Sequence, residues 1–101
     1  MAPLELLILQ TLDAAPNHGF GITMHIQTVS GGLLAVEEGS LYPALHRLEK
    51  EGALTAEWTV TPAGRRARLY ALTPEGRRRL EIARSQWSGT AKGVNRLLRF
   101  A

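Results

Sequence analysis

The chain has 101 residues, of which 45% are hydrophobic and 21% charged, so it has the size of one small domain without a second core. It contains no cysteine, which excludes a disulfide framework, a thiolate zinc site and a cysteine nucleophile. The apolar run near its start follows no basic stretch, and no window reaches about 18 uninterrupted apolar residues. We therefore expect a soluble, cytoplasmic protein that does not enter a membrane.

The formal net charge of +3 hides an asymmetry along the chain. Residues 1–60 carry two basic and seven acidic side chains, whereas residues 61–101 carry ten basic and two acidic ones. Six arginines fall within fifteen residues: Arg65, Arg66, Arg68, Arg77, Arg78 and Arg79. Clustered guanidinium groups favour a polyanionic partner because they displace counterions from phosphates, although a solvated surface explains the charges equally well.

Two segments with helical periodicity open the chain. The first begins at Pro3, which suits the first turn of a helix, and residues 13–17 break it. The second follows Gly19 and ends at the Ser30-Gly31-Gly32 segment. Their apolar stripes consist of Leu4, Ile8 and Leu12 in the first helix and Ile22, Ile26 and Val29 in the second.

A third helix is predicted where apolar residues follow the i, i+3, i+4, i+7 template at Leu41, Ala44, Leu45 and Leu48. Gly52 follows as a C-terminal cap. Pro43 lacks an N–H and so belongs in the first turn, which favours Ser40 or a residue just before it as the N-cap.

The period then changes from helical to alternating. Residues 54–60 and 67–72 alternate apolar and polar side chains, and the segment 61–64 between them has turn chemistry. These features predict a β-hairpin. Because Arg68 alternates with apolar neighbours, we expect its side chain to point to solvent.

A fourth helix is predicted from Thr73, whose hydroxyl caps it, with Pro74 at the first position. It runs towards the C-terminus over about 25 residues, which is nearly 40 Å if it is continuous. Gly89 and Gly93 each weaken it by up to about 1 kcal/mol relative to alanine, so a kink or fraying is the alternative.

The order of these elements predicts a mainly α fold with a small β-hairpin, namely a winged helix-turn-helix with an added C-terminal dimerisation helix. The expected division is a winged-helix DNA-binding domain at residues 1–73 and the dimerisation helix at residues 74–101.

Three segments carry a recognisable pattern: HGFGI at residues 18–22, EGSLYPALHRLE at 38–49 and RARLYALTPEG at 66–76. Together they resemble the PadR family of bacterial transcriptional regulators, and the single helix after the hairpin resembles its short subfamily. The resemblance implies a winged-helix repressor that dimerises through its C-terminal helix and releases DNA on binding a small, often aromatic, effector. One departure is Phe20, where the family more often has tyrosine.

The third helix presents a face opposite its buried stripe that is free to meet the major groove of DNA. The candidate DNA contacts on or near it are Ser40, Tyr42, His46, Arg47 and Lys50. The hairpin adds Arg65, Arg66 and Arg68, which suit phosphate contacts from a wing. The alternatives are a solvated helix face, a Tyr42 packed under the wing, and charges that protect an edge strand from aggregation.

An apolar seam follows the fourth helix. Its members repeat at heptad spacing and are Leu80, Ala83, Trp87, Ala91, Val94 and Leu98. The seam predicts a homodimer, because the domain before it is too small to cover so long a stripe, although packing within the chain is the alternative. Trp87 is a candidate binding site for an aromatic effector, and an interface anchor is the simpler role for it.

The sequence lacks a phosphate-binding glycine loop and histidines paired at metal-ligand spacing, so we expect no enzyme activity, no metal and no cofactor. The predicted function is sequence-specific binding of a pseudo-palindromic, double-stranded operator by a transcriptional repressor, with release by a small effector. The alternative is a winged-helix adaptor that binds proteins and not DNA.

Overall fold

The structure, a computed structural model, describes residues 3–99. In chain order its elements are α1 (Leu4–Ala14), β1 (Asn17–His18), α2 (Gly19–Val29), α3 (Glu38–Lys50), β2 (Leu54–Val60), β3 (Arg66–Leu72) and α4 (Pro74–Leu98). This order confirms the predicted winged helix-turn-helix, with β2 and β3 as the wing and α4 as the added helix. Within residues 3–99, no helix is both long and apolar enough to cross a lipid bilayer.

The hydrophobic core lies between α1, α2 and α3, and the base of the wing and the start of α4 close it. Its largest fully buried side chains are Ile8, Leu9, Ile22, Leu41, Leu45, Leu48 and Leu80. The predicted stripe of α3 is wholly buried, which leaves the opposite side of that helix to solvent.

The sheet contains a strand that the alternation pattern did not predict. The strand order is β1-β3-β2, and the short β1 pairs antiparallel with β3 through Asn17 with Tyr70 and His18 with Leu69. Two residues are too few to produce a periodic signal, so only the tertiary fold shows this strand. It attaches the start of α2 to the wing.

The start of α3 corrects the sequence prediction. The helix begins at Glu38 with Glu37 as N-cap, three residues before Ser40, so Pro43 lies in the second turn. The carbonyl of Glu37 accepts bonds from Ser40 N at 3.0 Å and Leu41 N at 2.9 Å, which fixes the earlier start. Pro43 is tolerated because it lies on the exposed side, where water can solvate the carbonyl group that its missing N–H leaves free.

Helix α4 begins as predicted, because Thr73 Oγ1 accepts a hydrogen bond from Gly76 N at 3.0 Å. It is one helix of 25 residues that passes through Gly89 and Gly93 and ends at Arg99, whose φ is 63°. Its first two turns contribute Gly76 and Leu80 to the interior. The division of the chain at residue 73 remains a prediction.

Candidate nucleic-acid interface

The open side of α3 carries His46 and Lys50. Both side chains are exposed, and neither forms an ion pair within residues 3–99. They lie at helical positions opposite Leu41, Leu45 and Leu48, which face the core. Two side chains that can donate hydrogen bonds therefore point away from the protein on a helix of suitable width for the major groove.

Arg47 lies on the flank of α3, beside its open side. Its Nη1 atom is 3.2 Å from Glu5 Oε1 on α1 and 3.8 Å from Glu51 Oε1 on the next turn of α3. The helical position of Ser40 places it on the same flank, where it borders a groove between α1 and the segment that precedes α3. DNA contacts by these two residues remain predictions, and for Arg47 they require the pair with Glu5 to open.

Tyr42 lies on the other flank of α3, towards the wing, and it is partly exposed. A Cβ atom added to Gly19 would lie only 2.7 Å from the Tyr42 hydroxyl oxygen, so the ring packs tightly on the backbone at the start of α2. Glycine at position 19 allows this close approach, and a larger residue would have to displace the Tyr42 ring. Tyr42 thus borders the junction of α2, α3 and the wing.

A cleft of about 560 Å³ occupies that junction. Its lining includes His18, Phe20, Tyr42, Trp58, Arg66 and Tyr70. His18 Nε2 is hydrogen-bonded to Thr59 Oγ1 at 2.7 Å, which ties the start of α2 to β2. Burial raises the pKa of the Tyr70 hydroxyl above its ordinary value of 10.0.

The wing tip presents Arg65 and Arg66 to solvent, and neither makes an ion pair with any described residue. The turn is built around Thr61, whose N–H donates to Arg65 O at 2.8 Å and whose carbonyl accepts from Gly64 N at 2.8 Å. Gly64 has a φ of 81°, a conformation that favours glycine. Two cations are thereby held at the end of a short, defined turn.

Arg68 corrects a further prediction, because it does not point freely to solvent. The hairpin register pairs it with Trp58, on the face that carries the buried Tyr70. Its Nη2 atom donates to Glu49 Oε2 on α3 at 2.8 Å, and its side chain is 32% exposed. The sequence pattern failed here because both faces of β3 carry apolar residues, so alternation alone did not identify the inner face.

Two of the three arginines that open α4 pair with acidic residues of the first half of the chain, whereas Arg78 pairs with Glu75 of its own helix. Arg77 Nε lies 3.5 Å from Asp13 Oδ1, and Arg79 Nη1 lies 2.6 Å from Glu51 Oε1. The bond from Arg79 lowers the pKa of the Glu51 carboxyl below its ordinary value of 4.5. This pairing supports the fold above that value and is lost as the pH falls through the lowered pKa. Part of the charge asymmetry is therefore neutralised within the molecule.

The predicted seam of α4 divides into a buried and an exposed part. Leu80 is completely buried in the core, so it has no surface to offer a partner, and its assignment to a dimer interface was wrong. Trp87, Val94 and Leu98 are 42%, 47% and 56% exposed, and Ala83 and Ala91 lie between them at intermediate exposure. From residue 84 to residue 99 no side chain of α4 is buried.

Trp87 borders a recess of about 230 Å³ between the start of α1 and the middle of α4. Pro3 and Leu6 of α1 and Ala83 and Thr90 of α4 line the same recess. The indole thus lies at the edge of this recess and also in the exposed stripe of α4, which consists of Trp87, Val94 and Leu98 with Ala83 and Ala91. The first position suits an effector site, and the second suits an interface anchor.

Sequence reasoning did not assign a role to Glu49 or to Trp58. Trp58 was expected on an apolar face, yet it is 61% exposed, and two guanidinium groups lie over its ring. The cross-strand register is what brings these groups together, and it depends on the length of the turn.

Comparison with known proteins identifies the family. A family model described as the Transcriptional regulator PadR-like family matches residues 8–82, which is most of the chain. The chain belongs to this PadR-like family. Among its relatives, a transcriptional regulator of Mycobacterium tuberculosis is 44% identical over 77 residues, which cover 76% of this chain and 68% of that protein.

Solved structures of similar proteins share the PadR-like architecture. A transcriptional regulator from Clostridium thermocellum has a TM-score of 0.82 and 28% identity, covering 91% of this chain and 89% of that one. Bacillus subtilis PadR, solved in complex with operator DNA, has a TM-score of 0.72 and 26% identity over 80% of this chain and 46% of its own. The segment that the family model matches, residues 8–82, contains α3 and the wing, whereas Trp87, Val94 and Leu98 lie beyond its end.

Proposed function

We propose that this PadR-like regulator is a homodimeric repressor that acts in the cytoplasm by binding a pseudo-palindromic, double-stranded operator. The observation that carries the proposal is that α3 and the wing border the same cleft, through Tyr42 and Arg66. On the same two elements, Lys50 of α3 and Arg65 and Arg66 of the wing are exposed and form no ion pair within residues 3–99. The operator complex of Bacillus subtilis PadR supports DNA as the partner.

In the proposed complex α3 enters the major groove and the wing lies along the adjacent backbone. Lys50 and His46 are the donors that reach base edges or phosphates from α3. Arg65 and Arg66 contribute phosphate contacts from the wing tip, because they are exposed and have no competing carboxylate among residues 3–99.

The exposed stripe of α4 supports the homodimer. An apolar surface that begins at Ala83 and continues to Leu98 on a single helix is self-complementary about a two-fold axis. A two-fold dimer presents two α3 helices to one side of the duplex, which requires half-sites about one helical turn, roughly 10 base pairs, apart.

The test of DNA binding is the salt dependence of operator affinity. An operator is first selected from a random duplex pool, and its dissociation constant is then measured between low and high salt for wild type and Arg66→Ala. Loss of one phosphate contact lowers the slope of log affinity against log salt by about 0.9. Lys92→Ala is the matched control, because it removes one exposed cation from the distal half of α4.

Affinity that does not change with salt, or a random pool that yields no enriched sequence, contradicts this proposal. In that case the adaptor function becomes the better explanation, and it predicts that Arg65 and Arg66 can both be neutralised without loss of the biological activity.

The effector part of the proposal rests on Trp87 and the recess beside it. Planar aromatic compounds are expected to quench tryptophan emission in wild type and in Trp58→Phe, but not in Trp87→Phe, which keeps an aromatic ring in the same place. The measurement is a fluorescence titration of the DNA-free protein, repeated with operator to detect release. If no aromatic compound changes the emission of Trp87, this residue is an interface anchor only.

A further inference from the structure

The face of the wing that turns towards α3 carries an arginine that pairs with a carboxylate of that helix. Cross-strand pairing places Arg68 opposite Trp58, two residues from Arg66 on the same side of the hairpin. Arg68 therefore lies between the wing tip and the flank of α3.

The guanidinium group of Arg68 is hydrogen-bonded to the protein through one of its three nitrogens. Nη2 donates to Glu49 Oε2 at 2.8 Å and to the backbone oxygen of Ala56 at 3.5 Å. Nε is buried and has no hydrogen-bond partner among the described atoms. A phosphate contact through Nη2 would have to replace the carboxylate of Glu49, which a bond of this length at a half-buried position resists.

Trp58 continues this set of contacts towards the wing tip. The guanidinium carbon of Arg68 lies 5.7 Å from the centre of the indole ring, and that of Arg66 lies 4.8 Å from it. Both distances fall within the range of cation–π attraction. Contacts therefore run from Glu49 on α3 through Arg68 and Trp58 to the exposed Arg66.

The wing needs such a connection because its outer half has little other support. Residues 60–66 are mostly exposed, and the only other strand beside the hairpin in the described chain is the two-residue β1. A two-stranded ribbon is weakly held by its own hydrogen bonds. The angle between wing and α3 must be set in advance if both are to meet the duplex at once, since ordering them on binding lowers affinity.

We propose that Glu49 and Arg68 are positioning residues that, with Trp58, fix the wing against α3 and aim Arg66 at the DNA. We call this set the wing latch. The proposal rests on the proposed DNA binding for its effect on affinity, but the latch itself exists in the free protein.

The first test uses a substitution for which electrostatics alone and loss of the latch predict opposite changes in operator affinity. Glu49→Ala removes a negative charge near the phosphates, so electrostatics alone predicts tighter operator binding, whereas loss of the latch predicts binding about three- to tenfold weaker. Glu57→Ala is the matched control: Glu57 is exposed on the other face of β2 and has no ion pair within residues 3–99, so its removal is expected to leave affinity unchanged or raise it.

A double-mutant cycle identifies the role of Arg68. Arg68→Ala is expected to weaken binding without lowering the salt slope, and Glu49→Ala is expected to add little in the Arg68→Ala background, because both changes remove the same interaction. A slope that falls by about 0.9 in Arg68→Ala, together with unchanged or tighter binding by Glu49→Ala, overturns the latch and makes Arg68 a phosphate contact.

Hydrogen exchange separates failure of the latch from failure of DNA binding. In the DNA-free protein, amides of residues 54–60 and 66–72 are expected to exchange faster in Glu49→Ala and at the wild-type rate in Glu57→Ala. If wild type shows no salt-dependent DNA binding, the proposed function fails while this result still stands. Unchanged exchange in Glu49→Ala overturns the latch whatever the DNA result.

Discussion

Replacing Val94 with aspartate is expected to convert the proposed homodimer into monomers and to weaken operator binding by about a hundredfold or more. Val94 lies in the exposed stripe of α4, where 47% of it is accessible in the isolated chain. In a two-fold interface each new carboxylate is desolvated and lies close to its own copy, so both burial and like-charge repulsion oppose association. The affinity falls because a monomer engages only one half-site.

Ser85→Asp is the control for this change. It introduces the same charge on the same helix, at an exposed position on the side away from the stripe, and it is expected to remain dimeric. The oligomeric state is measured by sedimentation, and operator binding is measured at the same protein concentration. A Val94→Asp protein that sediments as a dimer shows that the stripe is not the interface. A monomer with wild-type affinity shows instead that each subunit binds DNA independently.

Gly76→Ala is expected to lower the free energy of unfolding by about 2–3 kcal/mol. Inside an isolated helix the same change stabilises by up to about 1 kcal/mol, so the expected sign is reversed by the surroundings. A Cβ atom at position 76 would lie 2.1 Å from the backbone oxygen of Ala53 and 2.7 Å from Leu72 Cδ1. The oxygen cannot move freely, because it accepts a hydrogen bond from Thr73 N at 3.1 Å.

Gly89→Ala provides the comparison within the same helix. No described atom lies within 4 Å of the position where its Cβ would be, so alanine is expected to stabilise the protein by about 0.5–1 kcal/mol. Both variants are measured by urea denaturation at one fixed protein concentration, since association contributes to apparent stability. Equal stability of Gly76→Ala and wild type contradicts the close contact between the start of α4 and Ala53.

The order of the helices and of the hairpin was predictable because each element carries a local signal. In α3 the apolar positions repeat at helical spacing, so one side of the helix is buried and the opposite, polar side is exposed in the isolated chain. Thr73 and Gly64 are equally local signals, since a hydroxyl cap and a left-handed turn depend on neighbouring backbone only. The family resemblance, confirmed by the match to residues 8–82, rests on the same segments.

The direction of individual side chains was less predictable. Arg68 was expected in solvent, and Arg47 was expected on or near the open side of α3. The sequence did not predict that each pairs with a glutamate of another element, Glu49 for Arg68 and Glu5 for Arg47. These partners are distant in sequence, so no local pattern indicates them. The heptad spacing of α4 likewise did not distinguish Leu80, which the core of its own chain covers, from Trp87, which it leaves partly exposed.

By itself the sequence determined the four helices, the hairpin and their order, the face of α3 that is buried and the family of this protein, because all of these are encoded in residue types at short spacing. Only the tertiary structure decided which cations remain free for DNA. Arg66 is exposed at the wing tip, whereas Arg68 and Arg79 are held by Glu49 and Glu51. Ion pairs and close backbone contacts depend on which elements meet in space, and packing, not periodicity, determines that.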